Sequence, residues 1–266
     1  TGVQTCALPI FMKQDDMDPD QQKRRLDRRP VWQVTVLTLF PEMFPGPLSQ
    51  SLAGKSLNDG IWTLKTLDIR DFARDKHRTV DDSPLGGGVG MVLKPDVVAA
   101  ALTAASNCPG PRIYLSPRGR VLDQALVREL ASQEGALFLC GRYEGVDQRV
   151  IDSTDVIEIS VGDYILSGGE FAAMTVIDAV VRLLPGVMGK EASHREESFE
   201  TGLLEHSHYT QPRVWNGIEA PEILASGHHR KIAEWRQAEA EKETQRRRPD
   251  LWQRYLDSQA LRKKKN

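Results

Sequence analysis

The sequence predicts an α/β fold built on a mostly parallel sheet, followed by a smaller helical unit. Three observations carry that reading. Apolar runs of strand length at 112–115, 136–140 and 156–161 are each followed by a polar loop containing Gly or Pro. Helix-favouring stretches alternate with them, as in strand–helix–strand units whose strands run parallel. Beyond residue 186 the apolar runs stop and charged sequence takes over. With 266 residues and 40% apolar content, the chain can bury one core of moderate size plus a small appendage.

In chain order, residues 1–30 open on TGVQTCALPI and continue mostly in charge and Gln. They are expected to be a disordered or artefactual leader outside the fold. VWQVTVLTLF at 31–40 is a β-branched run of the buried-strand kind, stopped by Pro41, Pro45 and Pro47. A second extended segment is expected at 61–67. DIRDFARDKHRTVDDSPLGGGVG, 68–90, has no apolar periodicity, and loops of that length are functional or disordered. It is not a phosphate-binding P-loop, lacking G-x-x-x-x-G-K-[ST]. A helix is expected over 96–105, after Pro95. The strand at 112–115 leads into SPRGRVLD and a helix at 124–132, and the strand at 136–140 leads into GRYEGVDQRV. The strand at 156–161 leads into GDYILSGGE and an apolar helix at 171–184, stopped by Pro185-Gly186. Residues 187–202 read as a polar interdomain linker. A short helix at 221–226, a long charged one at 229–247 and a last one after Pro249 complete the chain. Trp235 and Trp252 fall at helical spacing from Leu and Ile, which suits the core of a small domain better than stacking platforms.

The net charge of −2 hides a basic C-terminal stretch, with Arg246 to Arg248 and Lys263 to Lys265. A solvated helix face and an RNA contact both account for it. Cys6, Cys108 and Cys140 show neither metal-ligand spacing nor a pairing pattern, which points to a reducing compartment. No apolar run approaches the ~18 residues of a membrane span. A soluble, cytoplasmic protein with no membrane partner is expected. His206 and His208 flank Ser207, and without a third ligand in the sequence they read as RNA-contacting or structural.

Ligands of open α/β sheets bind beyond the carboxyl ends of the strands. Three loops meeting there could hold an adenosine-sized ligand in backbone amides and carbonyls. None is a G-x-G-x-x-G, so a dinucleotide has little support, and a tight turn without a ligand accounts for any one loop taken alone.

Seven blocks then occur in order: LFPEMF (39–44), HRTVDDSPLGGGVGM (77–91), YLSPRGR (114–120), CGRYEGVDQRV (140–150), GDYILSGGE (162–170), PGVMGKEAS (185–193) and HYTQP (208–212). Together they resemble bacterial tRNA (guanine-N1)-methyltransferase over nearly all of 31–255. The resemblance implies a SPOUT-type fold with a deep C-terminal trefoil knot, an exception to the rule against knots, and a small all-α C-terminal domain. It implies a methyltransferase domain at 31–186, a linker at 187–202 and a tRNA-binding domain at 203–266, in a homodimer whose active site is shared between subunits. S-adenosylmethionine would lie among Tyr114, Leu115, Ser116 and Pro117; Gly141, Arg142, Tyr143, Glu144 and Gly145; and Ser160, Val161, Gly162, Asp163, Tyr164, Ile165, Leu166, Gly168 and Gly169. The product would be 1-methylguanosine at tRNA position 37, after G36. Mg²⁺ is also implied, though the sequence shows no dedicated metal cage.

The chemistry sets its own demands. Guanine N1 carries a proton, so a base must stand near N1 and a cation near O6, where negative charge gathers. By family position the base is Glu197, with Glu196 beside it as an alternative, and the cation is Arg182. Asp is usual at 197. The two acids differ little in basicity, but the extra methylene changes reach, and ~1 Å of misplacement costs about a hundredfold. A base within a stacked anticodon loop must be flipped out, and phosphate contacts would position the stem. Gly87, Gly88, His208, Tyr209, Arg246 and Arg247 are the candidate contacts to the anticodon stem-loop. Val89 and Ala172 stand where the family usually has Pro, and Gln211 where Arg is common. Another SPOUT RNA methyltransferase, acting on a ribose 2′-hydroxyl or a different base, and a non-catalytic RNA-binding paralogue are the competing readings.

Overall fold

The computed structural model describes residues 31–188 and 198–265, in two compact units that divide between Met188 and Gly189. Residues 1–30 and both candidate bases, Glu196 and Glu197, lie outside the described residues.

The first unit runs β1 (Trp32–Thr38), α1 (Ser51–Asn58), β2 (Trp62–Asp68), β3 (Asp81–Asp82), β4 (Val92–Leu93), α2 (Pro95–Ala104), β5 (Arg112–Val121), α3 (Gln124–Ala131), β6 (Gly135–Leu139), α4 (Gln148–Ser153), β7 (Val156–Ser160) and α5 (Gly169–Val181). Five strands pair in the order β2-β1-β6-β5-β7, every pair parallel. This mixed α/β architecture with a parallel sheet is the one expected. All five residues of β6 are buried, because helices cover both faces of a central parallel strand. On one face Val34, Val36, Ala136, Phe138 and Ile113 pack with Leu126 and Leu130 of α3 and Val176, Ile177 and Val180 of α5. On the other, Leu37, Leu137, Leu139 and Tyr114 pack with Val97, Val98 and Leu102 of α2 and Val150 and Ile151 of α4. Each Val, Leu, Ile or Phe among them contributes roughly 1.5–3 kcal/mol by leaving water.

Several expectations need correction. The strand expected to end at Leu115 continues to Val121 after a bulge: Leu115 and Arg120 both register with Ile159, so residues 116–119 stand off the ladder. Gly119 is required at the return, since a Cβ there would overlap the Glu158 and Ile159 backbone. The segment 68–90 is not structureless; it contains a 3-10 turn at Ile69–Phe72 and pairs β3 with β4. GRYEGVDQRV runs on into α4, whose N-cap Asp147 accepts a 3.0 Å hydrogen bond from the Arg149 backbone N–H. Helix α5 begins two residues before the expected Phe171.

The second unit was expected to be helical throughout. Instead β8 (Val214–Trp215) and β9 (Ile218–Glu219) form a hairpin across Asn216-Gly217, both with positive φ, the conformation a two-residue type I′ turn demands. Helices α6 (His229–Arg247) and α7 (Pro249–Lys265) follow. Leu203, Ala240, Thr244 and Leu251 are buried, and Thr244 Oγ1 accepts from the Leu204 backbone N–H at 2.8 Å. Trp235 and Trp252 are half-buried rather than core, Trp252 stacking on Tyr255 at 5.5 Å. Among the described residues no helix is long and apolar enough to cross a membrane.

Candidate active site

The bulged middle of β5 and the carboxyl ends of β6 and β7 open onto a cavity of about 250 Å³. Tyr114 to Pro117, Gly141 to Gly145, Ser160 to Gly162, Tyr164 to Leu166, Gly168 and Gly169 all line it. Of the eighteen donor-site residues named from the sequence, only Asp163, exposed in its turn, is absent from these walls. Ile159, Ser167 and Ala172 line it as well and were not anticipated. Ser167 lies inside the motif already singled out, and Ile159 one residue before the expected strand-end wall.

Tyr114 forms one wall, its ring against two glycines. A Cβ on Gly141 would stand 2.8 Å from Tyr114 Cε2, and one on Gly145 2.9 Å from the phenol oxygen. Gly145 also has φ of +118°, so both space and backbone demand glycine there. Burial pushes the Tyr114 phenol up, while a hydrogen bond from the Val146 backbone opposes the shift. The third loop is held by its own bonds: Ser160 Oγ donates to the Gly162 carbonyl at 3.1 Å, and Tyr164 donates to the Val161 carbonyl at 3.2 Å. The Gly169 N–H donates to the Gly141 carbonyl at 2.9 Å, which ties the start of α5 to the loop after β6. A second cavity, about 820 Å³, shares Tyr114, Ser116, Pro117 and Glu144 with the first and adds Lys94, Arg118 and Arg149 to its walls.

Residues 32–254 match the family described as tRNA (Guanine-1)-methyltransferase TrmD. The chain belongs to this family. It is 63% identical over 223 residues to a tRNA (guanine-N(1)-)-methyltransferase of Rhodospirillum rubrum, covering 84% of this chain and 93% of the relative. A protein of the same description from Chelativorans sp. (strain BNC1) is 62% identical over 227 residues, 85% of this chain and 97% of its own. Another, from Ruegeria pomeroyi, is 57% identical over 228 residues, 85% of this chain and 94% of its own.

The other positions named from the family motifs fall partly in the first unit and partly in the second. Arg182 caps the C-terminal end of α5, half-buried, with Nη2 3.7 Å from Met188 Sδ, and lines neither cavity. Gly87 and Gly88, with φ of +83° and +132°, sit exposed in the loop after β3, beside the nearly fully exposed Val89. Ala172 is buried in the first turn of α5, and Gln211 is exposed. Tyr209 lies 6.2 Å from Trp235. Arg246 and Arg247 both pair with Glu243, whose carboxyl is pulled down to about 2 by Arg246 first and then Arg247. Arg248 pairs with Asp250 at 2.7 Å. The basic run is thus largely neutralised within its own helices.

His208 Nε2 lies 2.9 Å from Glu205 Oε1, and with His206 they form a group of three metal-capable side chains among the described residues. The third ligand missing from the sequence reading is therefore Glu205. Two imidazoles and one carboxylate suit Zn²⁺; Mg²⁺ takes oxygen ligands. The group does not fit the Mg²⁺ that the family implies, and no step is assigned to that ion.

Proposed function

We propose that this protein transfers a methyl group from S-adenosylmethionine to N1 of guanosine 37 in tRNA, in a G36-G37 context, in the cytoplasm. Family membership supports the reaction class. The observation that carries the reading to this chain's own residues is one cavity built from the bulge of β5 and the loops that follow β6 and β7. Its donor set fits an adenosine-bearing ligand. Leu115, Ile159, Val161, Ile165, Leu166 and Ala172 offer apolar surface for a purine, and the glycines, having no side chain, let a ligand approach the backbone closely. When bound, S-adenosylmethionine supplies an already electrophilic methyl group.

The chain's own residues must do the rest. Glu197 removes the N1 proton of guanine, and Arg182 stabilises the charge that gathers at O6. The larger cavity, whose walls carry Lys94, Arg118 and Arg149 beside Asp82, Glu144 and Asp147, receives the flipped nucleotide beside the donor. Residues 31–186 form the methyltransferase domain and 203–266 the tRNA-binding domain, with the linker between them supplying the base to the other subunit of a homodimer. The SPOUT trefoil knot is the finer fold we assign, supported by the wholly parallel order with β5 between β6 and β7. Labelled donor with two anticodon stem-loop transcripts, G36-G37 and A36-G37, tests the reading. Methylation at N1 of the first alone is expected; equal labelling of both, or label at a ribose, refutes it.

A further inference from the structure

We propose that Glu170 is a positioning residue for the donor cavity: it holds Arg142 in place, and Arg142 clamps two of the three loops together. The inference rests on the donor reading above.

Glu170 is 0% exposed, in the first turn of α5. A buried carboxylate is costly unless paired and hydrogen-bonded, so its surroundings show what it is for. Thr38 Oγ1 donates to Glu170 Oε1 at 2.7 Å, and Arg142 Nε donates to the same oxygen at 3.3 Å. Thr38 in turn accepts from the Phe40 backbone N–H at 3.0 Å, which fixes its hydroxyl toward the acid. The other carboxylate oxygen, Oε2, lies 3.0 Å from Arg142 Nη2 at ion-pair distance but is not aligned as a hydrogen-bond partner.

Arg142 does the clamping. It belongs to the loop after β6, its Nη1 donates to the Ser167 carbonyl of the loop after β7 at 3.1 Å, and its guanidinium lies 4.3 Å over the Phe40 ring. Both Arg142 and Ser167 line the cavity; Glu170 does not. An acid that merely filled core volume would need no guanidinium. Here the charge sits directly behind a cavity-lining arginine, and Thr38 orients it from β1. Gly168 closes the arrangement: a Cβ there would fall 2.5 Å from Glu170 Oε2. Its φ of 177° is open to any residue, so the requirement is space for the ion pair.

The test compares wild type with Glu170→Gln, which keeps the volume and removes the charge. S-adenosylhomocysteine is titrated calorimetrically well below the unfolding temperature, and steady-state constants are measured for donor and tRNA separately. Expected is a 10- to 100-fold weaker affinity, on the order of a lost charged hydrogen bond, a matching rise in KM for the donor, and KM for tRNA unchanged. Arg142→Met should weaken binding similarly, and the double variant little further, because the two act as one unit. A folded Glu170→Gln with affinity within twofold of wild type overturns the inference, even if its Tm falls. Should that variant not fold, Thr38→Val decides: a several-fold loss supports the relay, and an unchanged affinity overturns it. Wild type that fails to bind S-adenosylhomocysteine refutes the donor reading instead.

Discussion

Substituting Gly169 by Ala adds one methyl group where the molecule has no room for it. The new Cβ would stand 2.7 Å from Cys140 Cα, 3.0 Å from Gly141 N and 3.2 Å from Cys140 Cβ. Ordinary carbon contacts lie near 3.5–4.0 Å, so the shortfall is about 1 Å, mostly against backbone. That backbone cannot move cheaply, because the Cys140 N–H is bonded to the Leu37 carbonyl at 2.9 Å at the centre of the sheet. Helix propensity argues the other way, favouring Ala over Gly by ~1 kcal/mol, but Gly169 is the first residue of α5, where propensity counts least. Overpacking of roughly 1–3 kcal/mol therefore wins. At roughly 2–4 °C per kcal/mol for a chain of this size, Tm should fall by roughly 2–12 °C. The cheapest relief is for α5 to back away, which stretches the 2.9 Å Gly169–Gly141 bond and loosens the cavity, so affinity for S-adenosylhomocysteine should fall as well. Differential scanning calorimetry and titration calorimetry on the same preparation measure both. A Gly169→Ala protein as stable as wild type, or more so, refutes the reasoning.

Glu197→Gln should abolish methyl transfer and leave donor binding intact; retention of most of the rate moves the base to Glu196 or elsewhere. Cys140 is fully buried, and burial pushes its thiol well up, with Glu170 adding to the effect, so it stays protonated. Half-buried Cys108 should react with iodoacetamide at pH 8 before Cys140 does, and peptide mapping that finds the reverse order counts against the packing described. Glu243 has a depressed carboxyl, from 4.5 down to about 2, so the stability it contributes is present above pH 4.5 and lost as pH falls toward 2. The difference in Tm between wild type and Glu243→Gln should therefore shrink across that window, and a difference constant from pH 6 to pH 2 excludes the linkage. Phe138→Ala, at the fully buried centre of β6, should cost about 3–5 kcal/mol in denaturant unfolding, and less than 1 kcal/mol would mean the strand is not where the sheet places it.

How legible all this was depends on whether a signal was local. The strands at 31–40, 112–115, 136–140 and 156–161 could be read because most of their positions are buried and apolar, with Gln33 and Glu158 as polar interruptions that left the run recognisable. The three segments expected to hold a ligand were picked out by glycine and proline after apolar runs, and all three border one cavity, although the first lies within β5 and not after it. The bulge in β5 was not legible: whether SPRG leaves the ladder or ends it depends on Ile159, some forty residues away, pairing on both sides of the excursion. Two misses had readable signals. Asn216-Gly217 between β-prone residues is the strongest short hairpin cue, and Asp147 two residues before Arg149 is a helix cap; both gave way to the helical reading of the tail and the loop reading of the motif. The third member of the His206 and His208 group lay next to them in sequence as Glu205, and only the fold around the loop brings its carboxylate to His208.

The pairing of β1 with β6 joins residues such as Val34 and Ala136, about a hundred positions apart along the chain. Closing so long an excursion is an entropic debt that grows only with the logarithm of its length, ~0.6 kcal/mol for each doubling. Extra sequence threaded into the exposed stretch around Gly86 should therefore burden the equilibrium very little. It would slow the search for the central strand partner far more than it weakens the finished sheet, so an insertion there should register in the folding rate before it registers in the folding equilibrium.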